Sequence, residues 1–166
     1  MSVIFQPRPW FFMVALGCAG LLGYALYVQH AEFLDPCPLC VIQRVAFMWM
    51  GAVALVGAIH NPAAAGQRIY GALVILGGIF GAAVAGRHVW LQNLPADQVP
   101  DCGMGLNYMI ETMPLSDVLA QVFYGSGECA EIDWTFLGLS MPTWTLICYI
   151  VITIVTLVVI IRRPAR

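Results

Sequence analysis

The sequence predicts an all-α integral membrane protein: a bundle of four transmembrane helices joined on one side by two loops, the second carrying a short amphipathic helix. Three observations predict it. Of the 166 residues, 61% are hydrophobic and only 10% charged, too apolar for a soluble core of this size. Four runs of about 20 residues carry no charge in their centres, which is the length needed to cross a hydrocarbon layer. The seven arginines, with no lysine among them, are spread unevenly about those runs. A single membrane domain, 1–166, is expected, with spans at about 9–28, 39–59, 69–88 and 142–161 and loops at about 29–38 and 89–141.

The first run resembles a signal peptide but is too long for one. It stays apolar beyond Gly17 and Gly20, and past the faintly lipoprotein-like Ala15-Leu16-Gly17-Cys18, as far as Tyr27, so an uncleaved anchor is expected. Gly17, Gly20 and Gly23 offer a small-residue face for helix approach, and Tyr24 and Tyr27 an interfacial belt. The second run contains Phe47, Met48, Trp49 and Met50 and stops at Asn61-Pro62. Such residues usually face lipid or neighbouring helices; the alternative is that Phe47 and Trp49 wall a flat apolar ligand. The third run carries Gly77 and Gly81, a small-xxx-small packing pair, and ends at Arg87-His88-Val89-Trp90. A boundary histidine reads first as a snorkelling anchor; alternatively His88 donates to a polar group at the depth of Cys40.

Arg8, Arg68, Arg162, Arg163 and Arg166 lie at one side of the spans. Arg44, Arg87 and all nine acids lie at the other. The positive-inside rule then puts both termini in the cytoplasm and the two acid-bearing loops outside. A net charge of −2 without a basic patch leaves no case for nucleic-acid binding.

At about fifty residues the second loop is long for so small a chain, a length usually tied to function or disorder. Pro95, Pro100, Gly103 and Gly105 surround Cys102, which predicts a mobile backbone there. Leu115, Val118, Leu119, Val122 and Phe123 then recur at helical spacing. That apolar face is too short to span a membrane; it lies on the outer surface or covers the top of the bundle. Gly125 and Gly127 end it, and Cys129 follows.

Cys18 and Cys148, two of the six cysteines, fall inside spans and read as buried apolar thiols. The other four, Cys37, Cys40, Cys102 and Cys129, lie on the outward side, where an oxidising compartment permits disulfides. Pairing of Cys37 with Cys40 and of Cys102 with Cys129 is the simplest of three connectivities. Pro36 and Pro38 break any helix before the Cys-x-x-Cys and place Cys40 in the first turn of the second span. Unpaired N–H groups there favour Cys40 as thiolate, and Arg44 adds a positive charge one turn on. Three roles compete. Structural staples are usual for outward cysteines, but a Cys-x-x-Cys bridge closes a loop too small to stabilise much. Zinc normally takes two paired knuckles, and here one pair stands with two distant single cysteines, so no metal is expected. Thiol–disulfide exchange between a pair on a mobile loop and a pair at the membrane edge fits best.

The stretch Cys37-Pro-Leu-Cys40-Val-Ile-Gln-Arg44 resembles the first-loop motif of the DsbB family, the disulfide-generating proteins of the bacterial inner membrane. The segment Gln121-Val-Phe-Tyr-Gly-Ser-Gly-Glu-Cys129-Ala-Glu-Ile-Asp-Trp134-Thr-Phe-Leu-Gly-Leu-Ser-Met-Pro142-Thr-Trp144 is similar to the end of that family's second loop. Arg87-His88 and Leu91-Gln92 fit its third-helix end. The resemblance covers nearly the whole chain and is thinnest over about 95–114, where Cys102 alone anchors it. It implies a quinone-dependent oxidase of a periplasmic thioredoxin-like dithiol protein, DsbA, with ubiquinone or menaquinone as the acceptor. Cys102 would form the mixed disulfide with the partner, and Cys129 would be its bridge mate. Electrons would pass to the Cys37–Cys40 pair through an interloop Cys37–Cys129 disulfide. Cys40, Arg44 and His88 would lie at the quinone, in a lipid-accessible slot for which the Phe47 and Trp49 region is the candidate. A non-catalytic membrane scaffold with two structural disulfides is the alternative.

Overall fold

The computed structural model describes residues 7–31, 33, 36–95, 97–99, 108, 111–125, 127–132 and 134–162. Its helices are α1 (Pro7–Ala31), α2 (Pro38–His60), α3 (Ala64–Gln92), α4 (Leu115–Tyr124) and α5 (Met141–Ile161). Among the described residues, α1, α2, α3 and α5 are long and apolar enough to cross a membrane. A 3-10 turn (Gly127–Cys129) follows α4. A two-residue hairpin, β1 (Thr135–Phe136) against β2 (Leu139–Ser140), leads into α5 with Thr135 opposite Ser140.

Local chemistry sets the helix ends. α2 and α5 carry proline in their first turn, where no intrahelical N–H is lost. α2 stops at Asn61, which adopts the left-handed conformation (φ 43°) and returns its N–H to Gly57 O. α3 runs beyond its apolar stretch at both ends, to Ala64 and Gln92, and near its start Gln67 Nε2 donates to Pro62 O at 2.8 Å.

Two clusters hold the fold. The larger lies between the four long helices and includes Trp10, Phe11, Val14, Cys18, Phe47, Met50, Val74 and Tyr149. In lipid such packing rests on close fit rather than on removal of apolar surface from water. Gly77 and Gly81 supply that fit: a Cβ on Gly77 would meet Trp49 Cδ1 at 2.7 Å, and one on Gly81 would meet Tyr149 Cε1 at 2.3 Å. The expectation for α1 is corrected. Gly17, Gly20 and Gly23 are exposed, and a Cβ on any of them would meet nothing within 4 Å. The buried face of α1 is instead Trp10, Phe11, Val14 and Cys18, turned away from the glycines.

The smaller cluster caps one end of the bundle: Leu39, Val84, Leu91, Val118, Val122 and Cys129. Val118 and Val122 of α4 are buried there, whereas Leu115 is 71% exposed. This helix therefore covers the bundle top through its central turn. The C-termini of α1 and α3 and the N-termini of α2 and α5 meet at this end. Cys102 and its neighbours Pro100, Gly103 and Gly105 lie outside the described residues.

Candidate functional site

The site is assembled at the start of α2. Cys37 is the residue before the helix, and its sulfur accepts the backbone N–H of Cys40 at 3.3 Å. The thiol of Cys37 in turn donates to Cys40 Sγ at 2.8 Å, so the pair stands as two thiols in direct contact. The Cys-x-x-Cys spacing brings them together because one helical turn separates the two positions.

Cys129 arrives from the other side. Gly125, at φ 87°, turns the chain out of α4, and a Cβ there would sit 2.4 Å from Leu91 Cδ1. The tight turn lays the 3-10 segment on α3 and buries Cys129 completely. Cys37 Sγ, Cys129 Sγ and a ring nitrogen of His88 all lie within 4.8 Å of one another. Contact with Cys129 draws the Cys37 thiol pKa down, but contact with Cys40, burial and the Cys40 charge outweigh it, and the net shift is well upward.

His88 is buried in α3 and does not snorkel. Its Nε2 stands 3.8 Å from Cys37 Sγ, and its Nδ1 meets the Gln43 carboxamide at 3.1 Å. Gln43 is itself buried, with its side chain 2.6 Å from Thr145 Oγ1 and its backbone carbonyl accepting from Tyr149 OH at 2.6 Å. The Thr145 hydroxyl donates to Gln43 Oε1, the nearer of its two acceptors, with Pro142 O at 2.9 Å. That leaves the Gln43 NH2 to donate to His88 Nδ1 at 3.1 Å. The other ring nitrogen, Nε2, then carries the proton and faces Cys37 and the backbone of Cys129.

Arg44 lies one turn below Cys40, as its spacing requires, but its guanidinium crosses to α1, where it donates to Gln29 Oε1 and Ala25 O. It thereby lines a cavity of about 1080 Å³ between α1, α2 and α5 that also reaches Cys37, Cys40 and His88. Leu21, Leu22 and Phe47 form its apolar wall, and Tyr24, Trp134 and Trp144 stand at the hairpin side. Phe47 stacks on Tyr149 with centroids 4.1 Å apart. The pairing of Phe47 with Trp49 is corrected: two residues further along, a helix has turned about 200°, and Trp49 faces α3, donating to Leu73 O at 3.2 Å. Cys148 is likewise half-buried and on the cavity wall, whereas Cys18 is fully in the core.

Sequence reasoning gave no role to Gln43, Thr145 or Tyr149. A glutamine inside an apolar span, three residues after Cys40, was the available signal. For His88 the signal was its place seven residues after Gly81, on the packing face of α3.

Residues 7–159 match the family model described as disulfide bond formation protein DsbB. Disulfide bond formation protein B of Hahella chejuensis is 50% identical over 157 residues, covering 95% of each chain. The protein of that name from Chromobacterium violaceum is 46% identical over 163 residues, 98% of each chain. That of Acinetobacter baylyi is 52% identical over 148 residues, 87% of this chain and 86% of its own. Matched from the first described turn of α1 to the last turns of α5, with Cys37, Cys40 and Cys129 gathered at one end of a four-helix membrane bundle, the chain belongs to the disulfide bond formation protein DsbB family.

Proposed function

We propose that the protein makes disulfides by carrying electron pairs from a periplasmic thioredoxin-like dithiol protein of the DsbA type to a membrane quinone, ubiquinone or menaquinone. The arrangement that carries this reading is a file of sulfurs. Cys129 lies beside Cys37, Cys37 touches Cys40, and Cys40 opens onto the cavity that Arg44 lines. The family implies the bacterial inner membrane, and the arginine distribution favours both termini on the cytoplasmic side with the cysteine end periplasmic.

In the oxidised enzyme the bridges are Cys37–Cys40 and Cys102–Cys129. A partner thiolate attacks Cys102, and the Cys102–Cys129 bond breaks, leaving Cys129 as thiolate. The partner's second thiol then resolves the mixed disulfide. Cys129 attacks Cys37, so that a Cys37–Cys129 bond forms, the Cys37–Cys40 bond breaks, and the electron pair rests on the Cys40 sulfur. The nearness of Cys37 and Cys129 is what this step needs. The positive charge of Arg44 and the N-terminus of α2 favour an anion at that point. Cys102 then attacks Cys129, the Cys37–Cys129 bond breaks, and Cys37 leaves as a thiolate that the ring N–H of His88 faces at 3.8 Å.

The cavity suits a quinone. Its volume is slightly above the roughly 300–1,000 Å³ usual for small-molecule sites, its walls are mostly apolar, and Arg44 and His88 offer polar contacts to ring oxygens. A quinone held there supplies a two-electron, two-proton acceptor, while the protein supplies position and charge.

The test is quinone reduction by the purified protein, given a reduced thioredoxin-like partner and a soluble quinone, with Cys40→Ser and Cys102→Ser run beside it. Wild type should turn over and both variants should not. Normal turnover in Cys102→Ser removes its assigned role. No turnover in wild type, with both bridges intact and resistant to mild dithiols, would instead favour the scaffold.

A further inference from the structure

Along the sequence only Cys37 and Cys40 have zinc-like spacing. In three dimensions the first-loop and second-loop sulfurs share their space with a histidine from a third element, and all three donor atoms lie within 4.8 Å. Two thiols and an imidazole form a donor set that zinc favours. Around a tetrahedral ion, Zn–S and Zn–N bond lengths place two sulfurs about 3.8 Å apart and a sulfur and a nitrogen about 3.5 Å apart. Cys37 Sγ and His88 Nε2 are at 3.8 Å, so the ligand edge is nearly formed. Cys40 Sγ, at 2.8 Å from Cys37 Sγ, is too close to be a second ligand of the same ion without moving. The fourth position therefore opens toward the cavity, which Cys37 and His88 both line. Ligation by Nε2 moves the ring proton to Nδ1, where a turn of the Gln43 amide offers its oxygen as the outer acceptor that a metal-binding imidazole normally has.

We propose that the reduced protein binds one thiophilic divalent cation of the zinc type through Cys37 Sγ, Cys129 Sγ and His88 Nε2, with water in the fourth position, and that the ion withholds both thiols from exchange. Binding releases two thiol protons to solvent and moves no electrons. A disulfide at either cysteine removes a ligand, so only the reduced form binds. The inhibition rests on the redox function proposed above; the binding does not.

The full chain in detergent, reduced and freed of reductant, is titrated with Cd2+ and followed by thiolate-to-cadmium ultraviolet absorption. One ion per chain is expected, displaced by Zn2+, with none bound by the oxidised protein. Alkylation of the wild-type complex should find Cys37 and Cys129 protected and Cys40 reactive. Cys129→Ser and His88→Ala should each weaken binding by about tenfold or more, while Cys40→Ser should change it little. Protection of Cys37 with Cys40 and not Cys129 would mean a simple vicinal dithiol and overturn the site, and the wild-type footprint decides this even where a variant misfolds. Full quinone turnover with the site loaded would overturn the inhibition. A preparation that binds the ion but never turns over, loaded or stripped, would overturn the redox reading and leave the site standing.

Discussion

His88 Nε2 lies 3.8 Å from Cys37 Sγ across 51 residues of sequence, and Gln43 Nε2 meets the other ring nitrogen, Nδ1, at 3.1 Å. Two helices thus build one site: α3 provides the imidazole, and α2 provides both the amide that aims it and, at its start, the thiol. The amide gives the first prediction. Gln43→Leu leaves the buried Nδ1 without a partner, at a cost of about 1–3 kcal/mol. Turnover should fall roughly 5- to 150-fold if that cost falls on the reacting geometry. Gln43→Glu should lose a comparable amount, because a carboxylate has no N–H to donate to Nδ1. Steady-state rates of both variants check this. Retained activity in Gln43→Glu would mean that the amide oxygen, not its nitrogen, faces His88.

The Cys37 thiol gives the second. Its pKa is raised in the folded protein despite the opposing pull of Cys129. The folded state keeps this proton where the unfolded chain begins to lose it, near the ordinary thiol value of about 8.5. The stability it contributes is complete below that pH and is lost as pH rises toward the folded value. The alkylation rate of Cys37 in the reduced protein, measured with chelator present, should still be climbing at about pH 10. The same cysteine in the denatured chain should level off about a unit lower. The slope with pH separates ionisation from mere access, which lowers the rate without moving the profile. A midpoint near the ordinary thiol value of about 8.5 in the folded protein would refute the shift.

What the sequence made legible was periodic. Four apolar runs gave the bundle, and the i, i+3, i+4 pattern gave α4 from Leu115 to Tyr124. Pro38 and the Cys-x-x-Cys gave the start of α2. What it hid was facing. Phe47 and Trp49 are equally aromatic, and only the packing of α2 against α3 decides that Phe47 meets the cavity and Trp49 the glycine face. Gly17, Gly20 and Gly23 look like a packing stripe, yet the larger Trp10, Phe11 and Val14 occupy the interface. His88 reads as a membrane-edge anchor until Gln43, a residue 45 positions away, gives it a buried partner.

Arg44 gives the third prediction. Its side chain ties α2 to α1 through Gln29 and Ala25 O while facing the cavity. Arg44→Ala removes both the tie and the charge, so the KM for a soluble quinone should rise with little change in the KM for the dithiol partner. Gln29→Ala loosens the tie but keeps the charge, and its effect should be smaller. Arg44→Lys should not rescue, because one ammonium does not reproduce a fork that binds two acceptors at once. Unchanged quinone KM in Arg44→Ala would remove Arg44 from the site.

The fourth concerns the support beneath the site. Gly81 of α3 sits against the ring of Tyr149, and an added Cβ would stand 2.3 Å from Cε1. That ring has no easy retreat. It is stacked on Phe47, and its hydroxyl is bonded to the Gln43 carbonyl in the turn that carries the site. Gly81→Ala should therefore destabilise the bundle by about 1–3 kcal/mol through overpacking. Gly17→Ala, on the open face of α1, is the control and should be neutral or slightly stabilising, since alanine is the better helix former. Helicity followed through detergent-induced unfolding measures both. A strained Tyr149 would also push on Gln43, so Gly81→Ala should lose turnover before it loses helix content. Turnover that falls only in step with helicity would show that Tyr149 braces the fold and not the thiols.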